Sequence, residues 1–192
     1  GGYGTTRILD LLDYNAIANH PKPLIGFSDI TALLQAIHKK TGLIGFHGPV
    51  GSALDQPYTR AMWTNLWRDG GPGFLMNSVD RDQIEDQKKN EYQRITLNPG
   101  RAKGKLVGGS LTLINALIGT EYEIDFTDKI VIIEEVGEKP YRVDRMLTQL
   151  LMTDTFKKAK GFALGVWVDC DQPEGSTNGF SLIQVLEDRL TP

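Results

Sequence analysis

Four groups of residues in this 192-residue chain have the types and spacing that chemistry needs. The first is Ser28 in Gly26-Phe27-Ser28-Asp29, where a short apolar run passes at once into a helical pattern. A serine on a sharp strand-to-helix turn has the geometry of a nucleophile elbow, with its oxygen lifted above the sheet edge near the positive end of the helix. The usual signature carries a second glycine two residues after the serine. Ile30 stands there instead, and Ser and Asp are also favoured as plain helix caps. The second group is Glu134-Glu135, at the end of the apolar run Lys129-Ile130-Val131-Ile132-Ile133. An unpaired buried carboxylate costs on the order of several kcal/mol, so the pair is either solvated at a strand tip or placed to orient a catalytic histidine. The third is His47 in Phe46-His47-Gly48-Pro49, either a base for Ser28 or a loop histidine that fixes a turn. His38, at a helix edge, and His20, between prolines, read as structural or solvated. The fourth is a pair of glycine turns, Gly1-Gly2-Tyr3-Gly4 and Gly108-Gly109-Ser110, each opening a helical pattern. Bare backbone N–H groups there suit an anion or an oxyanion, although tight turns use the same residues.

The elements that must position these groups follow from periodicity. Ile30, Leu33, Leu34 and Ile37 make one helix face, which ends at Gly42, and Leu43-Ile44-Gly45-Phe46 reads as the next strand. Strand, helix and strand with short joints form a βαβ unit, hence parallel strands and a right-handed crossover. Ligands gather at the carboxyl ends of such strands, where Ser28 and His47 both lie. The opening turn leads through Thr5-Thr6 into an apolar face of Ile8, Leu9, Leu11 and Leu12. Asp55 to Trp67 reads as a helix with Pro57 in its first turn, ended by Gly70-Gly71-Pro72-Gly73. Asn77 to Asn90 is polar with little periodicity, so residues 1–76 are expected to form one lobe, 77–91 a solvated connection and 92–192 a second lobe. The second lobe is expected to open with a strand over Tyr92–Leu97 and to continue with a helix over Leu111–Leu117. A helix from Pro140 should bury Val143, Met146, Leu147 and Leu150, and Gly161–Val168 should be a strand. Ser181 to Leu190 reads as a last helix, pointing toward a further strand.

Composition excludes several classes. Apolar residues at 40% and charged residues at 23% describe an ordinary globular protein, long enough to bury a substantial core. A formal charge of −3 gives no reason to expect nucleic acid or an anionic membrane as a partner. The single Cys170 excludes an internal disulfide framework and fits a reducing compartment. No apolar run approaches membrane-spanning length, and no metal-ligand spacing, repeat or low-complexity tract is present. The chain begins without methionine and stops straight after a helical pattern, so both ends read as cut, and an export signal ahead of Gly1 stays open.

The blocks Gly-Gly-Tyr-Gly at 1–4, Pro-Lys-Pro-Leu-Ile-Gly-Phe-Ser-Asp-Ile-Thr at 21–31, Phe-His-Gly-Pro at 46–49, Gly-Gly-Ser-Leu at 108–111 and Ile-Glu-Glu-Val-Gly-Glu-Lys-Pro-Tyr-Arg-Val-Asp-Arg-Met-Leu at 133–147 occur in one order. Together they resemble the LD-carboxypeptidase family of serine peptidases, which includes murein tetrapeptide carboxypeptidases and microcin-C resistance peptidases. The resemblance implies an α/β fold of two lobes: an incomplete parallel-sheet lobe with a nucleophile elbow, and a second mixed α/β lobe. It makes Ser28 the nucleophile and puts Glu134 at the catalytic position, with Glu135 as its neighbour. It assigns the oxyanion to the N–H groups of Asp29 and Gly2, and counts Gly108, Gly109 and Ser110 with the substrate contacts. The third triad member, a histidine, is implied after Pro192, which leaves His47 a supporting role. The implied reaction releases terminal D-alanine from a murein tetrapeptide during cytoplasmic cell-wall recycling, with no metal or organic cofactor. A homodimer is compatible with the resemblance. The rivals are a microcin-type hydrolase of an acylated nucleotide with the same triad, and a catalytically silent binding module.

Overall fold

The structure, a computed structural model, describes residues 2–68, 95–173, 175 and 179–191. The expected interlobe connection over 77–91, the glycines that should end the helix before it, and residues 92–94 of the expected strand lie outside the described residues. Residues 95–97 belong to no strand.

The helix that starts at Thr5, as the opening turn suggests, is a 3-10 helix over Thr5–Leu11, and it leads to α1 (Tyr14–Asn19). Next come β1 (Ile25–Gly26), α2 (Ile30–Thr41) and β2 (Phe46–His47). The strands β1 and β2 pair in parallel, with Gly26 opposite His47, as the βαβ reading requires. Helix α2 stops where Gly42 takes a left-handed conformation (φ +73°) and its N–H bonds the His38 carbonyl. A short 3-10 turn over Gly51–Asp55 precedes α3 (Pro57–Trp67), so the expected helix begins at Pro57 rather than at Asp55. Proline at the first helical position has no N–H to leave unsatisfied, which is why the α-helix starts there.

The second half holds β3 (Leu106–Ser110), α4 (Leu111–Ala116), β4 (Ile130–Val136), α5 (Pro140–Leu151), β5 (Gly161–Val168) and α6 (Leu182–Leu190). The strands form a parallel sheet in the order β3-β4-β5. Val131 and Ile133 of β4 are fully buried in a core with Leu111, Ile114, Val143, Leu147, Leu150 and Phe156. Helix α5 contributes Val143, Leu147 and Leu150 to that core, with Met146 half-buried at its border. The apolar stripe expected there is thus the one observed.

Helix α2 joins the two halves. Its Ala32 and Ala36 are fully buried with Leu9, Leu117 and Tyr122, a cluster that draws on both sides of the polar segment. Small side chains allow the close approach, and glycine completes it. A Cβ on Gly108 would overlap the Ile132 carbonyl oxygen, and one on Gly109 would come within 2.6 Å of the Thr31 side chain. Both glycines also hold φ values that L residues rarely adopt (+127° and +139°). Gln35 Nε2 donates to the Gly108 carbonyl at 2.7 Å, and the Ser110 N–H donates to Thr31 Oγ1 at 3.1 Å.

Candidate active site

Ser28 lies between β1 and α2, half-buried, with φ +58°. A non-glycine residue in the left-handed region carries strain on the order of 1–3 kcal/mol and marks the elbow geometry. The rival helix-cap reading is not realised. Asp29 occupies the cap position of α2, yet no side chain accepts a capping hydrogen bond there. The N–H groups of Ile30 and Thr31 are taken instead by the carbonyls of Phe27 and Ser28, at 3.2 and 2.9 Å. The Ser28 hydroxyl makes no hydrogen bond among the described residues.

The Asp29 carboxylate is used elsewhere. Buried at 7% exposure, its Oδ2 accepts the Thr5 N–H at 2.9 Å and the Thr5 hydroxyl as well. This ties the opening glycine turn, with Gly2 at φ +107° and Gly4 at φ +110°, to the residue after Ser28. Two sets of backbone N–H groups are therefore anchored to one another through a buried charge-assisted contact. Thr5 had read only as a helix start, and no pattern along the chain marks a contact across 24 residues.

The two glutamates separate cleanly. Strand β4 runs on through Val136, so both lie inside the ladder rather than beyond it, with Ser110 opposite Glu134 and Trp167 opposite Glu135. Alternation then sends them to opposite faces. Glu135 follows Val131 and Ile133 to the buried side, at 6% exposure, and is fully engaged there. Its Oε2 accepts the Thr112 N–H at 2.7 Å and the Ser110 hydroxyl at 3.4 Å, and its Oε1 accepts the Val136 N–H at 3.0 Å. Glu135 thus closes the first turn of α4. Glu134 points the other way, and its Oε1 is buried without accepting a hydrogen bond from any of the described residues. Burial, then the neighbouring Glu135 charge, pushes its carboxyl above the usual glutamate range. The β4–β5 register shifts between Ile133 and Glu135. Gly165 of β5 stands there, where a Cβ would lie 3.0 Å from Glu134 Cβ. Such irregularities re-aim a side chain beside a site.

His47 is near Glu134: its Nε2 lies 3.7 Å from Glu134 Oε1. Burial lowers its pKa below the ordinary histidine value. No hydrogen bond among the described residues joins it to Ser28. Gly108, Gly109 and Ser110 do not form the expected glycine turn: they are strand residues of β3 paired with β4. Gly109 lies against α2, the Ser110 N–H is taken by Thr31 Oγ1, and the Ser110 hydroxyl is directed to Glu135. The structure thus gathers Ser28, Asp29 and the opening turn at one sheet, and Glu134 with His47 where that sheet meets the other. Among the described residues, no three His, Cys, Asp or Glu side chains group as a metal site would need. None of the described helices is long and apolar enough to cross a membrane.

Comparison with known proteins places the chain. Residues 1–48 match the LD-carboxypeptidase N-terminal domain, and residues 103–192 match the LD-carboxypeptidase C-terminal domain. A probable murein peptide carboxypeptidase of Bacillus subtilis is 40% identical over 196 residues, covering 99% of this chain and 57% of its own length. The crystal structure of a muramoyltetrapeptide carboxypeptidase from Oxalobacter formigenes superposes with a TM-score of 0.74 at 28% identity, covering all of this chain and 63% of that one. A mutant of the microcin C7 self-immunity protein MccF, in complex with adenosine monophosphate, superposes with a TM-score of 0.76 at 26% identity, over all of this chain and 62% of that one. The chain spans somewhat more than half the length of the curated relatives it matches. Its α/β fold with parallel sheets, its strand-to-helix serine and both domain matches make it a member of the LD-carboxypeptidase family of serine peptidases.

Proposed function

We propose that this chain carries the nucleophile and the triad acid of a serine carboxypeptidase that releases terminal D-alanine from a murein tetrapeptide. The observation that carries the reading is Ser28, held at φ +58° on a strand-to-helix turn with its hydroxyl uncommitted among the described residues. In the proposed reaction Ser28 Oγ attacks the amide carbonyl between the L-centre of a diamino acid and D-alanine. The proton passes to a histidine, which the family resemblance puts beyond Pro192. Glu134 orients that imidazole and stabilises its charged form. The N–H groups of Asp29 and Gly2 receive the oxyanion, and loss of one such donor typically costs about 2.7–4 kcal/mol of transition-state stabilisation. The Thr5–Asp29 contact supports this assignment, because it couples the Gly2 turn to the elbow. Protonated histidine then returns the proton to the departing D-alanine amine, and water hydrolyses the acyl-enzyme. Gly108, Gly109 and Ser110 end β3 beside Glu134, where the bare Gly108 lets β4 pair closely and the bare Gly109 lets α2 close up on β3. Two lobes, joined by residues 77–91, would flank the cleft. Wall recycling in the cytoplasm is the setting we assign to the reaction.

The test incubates the intact protein with a murein tetrapeptide and follows D-alanine by mass spectrometry. Release by the parent and none by Ser28→Ala, at an unchanged melting temperature, supports the reading. Undiminished release by Ser28→Ala removes Ser28 as the nucleophile. The likeness to MccF favours one second reading, hydrolysis of an acylated nucleotide by the same residues. An intact protein that spares the tetrapeptide but cleaves an aminoacyl-sulfamoyl or aminoacyl-phosphoramidate nucleotide would decide for it.

A further inference from the structure

Ser28 and Glu134 sit on different sheets, so their relative placement depends on contacts between the β1–β2 pair and the β3-β4-β5 sheet. His47 makes such a contact. It ends β2 in register with Gly26, two residues before Ser28, and its Nε2 stands 3.7 Å from the buried Glu134 Oε1. That oxygen accepts no hydrogen bond among the described residues. The ring fits because residue 109 is glycine: a Cβ there would lie 3.1 Å from His47 Nδ1. Among the described residues, the charged or titratable groups about Glu134 are His47 from β2 and Glu135 on β4 itself, whose carboxylate is turned to the other face and bonded to backbone N–H groups. Strand β3 presents the uncharged Ser110, and β5 presents Gly165.

The geometry points to His47 as a positioning residue, a polar latch that crosses from the sheet of the nucleophile to that of the acid and holds the Glu134 carboxylate in line with Ser28. The inference rests on the serine carboxypeptidase reading above. As the Nε2–H tautomer or as imidazolium, His47 is a donor toward Glu134 Oε1. An approach of about 0.8 Å converts the present separation into a charge-assisted bond of about 2.9 Å, the tightening that catalytic contacts undergo when substrate enters. A donor on Oε1 leaves Oε2 for the triad histidine. It also keeps the carboxylate ionised against burial, which otherwise favours its neutral form.

The experiment measures kcat, KM and the pH profile of D-alanine release by the intact protein carrying His47→Gln, His47→Asn or His47→Phe, with Ser28→Ala alongside. His47→Phe should lower kcat about 10- to 100-fold, the scale of lost outer-shell partners, with KM little changed. The acid limb of kcat/KM should move to higher pH, because Glu134 loses the donor that favours its charged form. His47→Gln, which keeps an N–H at similar reach, should restore most of kcat and the parental limb. His47→Asn, one methylene shorter, should not. The Gln and Asn pair keeps the test decisive even where Phe prevents folding. Equal kcat and equal acid limbs in all His47 variants overturn the latch. A loss in His47→Gln as deep as that of Ser28→Ala also overturns it, since His47 would then be the base itself. Activity in Ser28→Ala sinks the underlying peptidase reading instead, and so remains distinguishable.

Discussion

Replacing Glu135 by alanine removes the acceptor that closes α4. The side chain is 6% exposed and takes three donors, the N–H groups of Thr112 (2.7 Å) and Val136 (3.0 Å) and the Ser110 hydroxyl (3.4 Å). Hydrogen bonds to a charged group contribute about 1.5–3 kcal/mol each, and a buried donor left alone costs about 1–3 kcal/mol. Val136 is exposed, so its N–H can turn to water, whereas the Ser110 hydroxyl is buried and the Thr112 N–H is partly so. The expected loss is therefore about 3–4 kcal/mol, dominated by Thr112. For a chain of this size each kcal/mol lowers the melting temperature by about 2–4 °C, so Glu135→Ala should melt roughly 6–16 °C below the parent. Glu134→Gln, one residue away, should do the reverse. Its carboxyl pKa is raised in the folded state, so folded protein holds more protons than unfolded protein between the two pKa values. Stability from this group falls as pH rises through that window, and at neutral pH the ionised carboxylate works against folding. The amide removes that charge, so the melting temperature should hold or rise while turnover falls by about 10⁴-fold, the scale seen for triad acids. Thermal unfolding by circular dichroism and D-alanine release on the same preparations give both readouts. A Glu135→Ala protein that melts within about 2 °C of the parent, beside a Glu134→Gln protein that melts well below it, would refute this division of roles.

Three further outcomes are expected. Ser28→Gly should abolish turnover yet raise the urea midpoint by an amount equivalent to about 0.5–1 kcal/mol, because glycine adopts φ +58° without the penalty an L side chain meets; a lowered midpoint would remove the case for strain at the elbow. Gly108→Ala should yield little soluble protein, since its Cβ would overlap the Ile132 carbonyl within a paired ladder, and normal yield with a parental melt would contradict the close pairing of β3 with β4. Asp29→Ala should cost about 1–3 kcal/mol for the orphaned Thr5 N–H and also depress kcat, because the opening turn loses its anchor. An Asp29→Ala protein with reduced stability but full kcat would separate that turn from catalysis.

The periodic elements were legible along the chain. The apolar stripe of α5, the strand over Gly161–Val168 and the βαβ unit around Ser28 all repeat within a few residues, and local spacing is what periodicity reports. The strand-to-helix turn at Ser28 was legible as well, since an apolar run passes straight into a helical pattern and only three residues separate β1 from α2. Two local expectations gave way to tertiary contacts. Of the two readings of the paired carboxylates, the solvated strand tip gave way: β3 pairs with β4 as far as Glu134, and β5 draws it on through Val136. On its own residues the Ser-Asp turn read more readily as a cap, but a backbone acceptor for each early amide and a distant Thr5 for Asp29 leave no cap to make.

What residue order determined by itself was the approximate place of the main helices and of the long buried strands, that the strands beside Ser28 are parallel, and that Ser28, His47, Glu134 and Glu135 lie at or near the carboxyl ends of strands. Only the tertiary structure decided which glutamate is a structural acceptor and which faces the nucleophile's sheet. It also decided that His47 lies beside that second glutamate, and that Asp29 holds the opening turn. The reason is physical. Alternation along one strand gives two faces without saying which is covered, and the covering groups, Thr112 on one side and His47 on the other, arrive from segments whose spacing carries no trace of the contact.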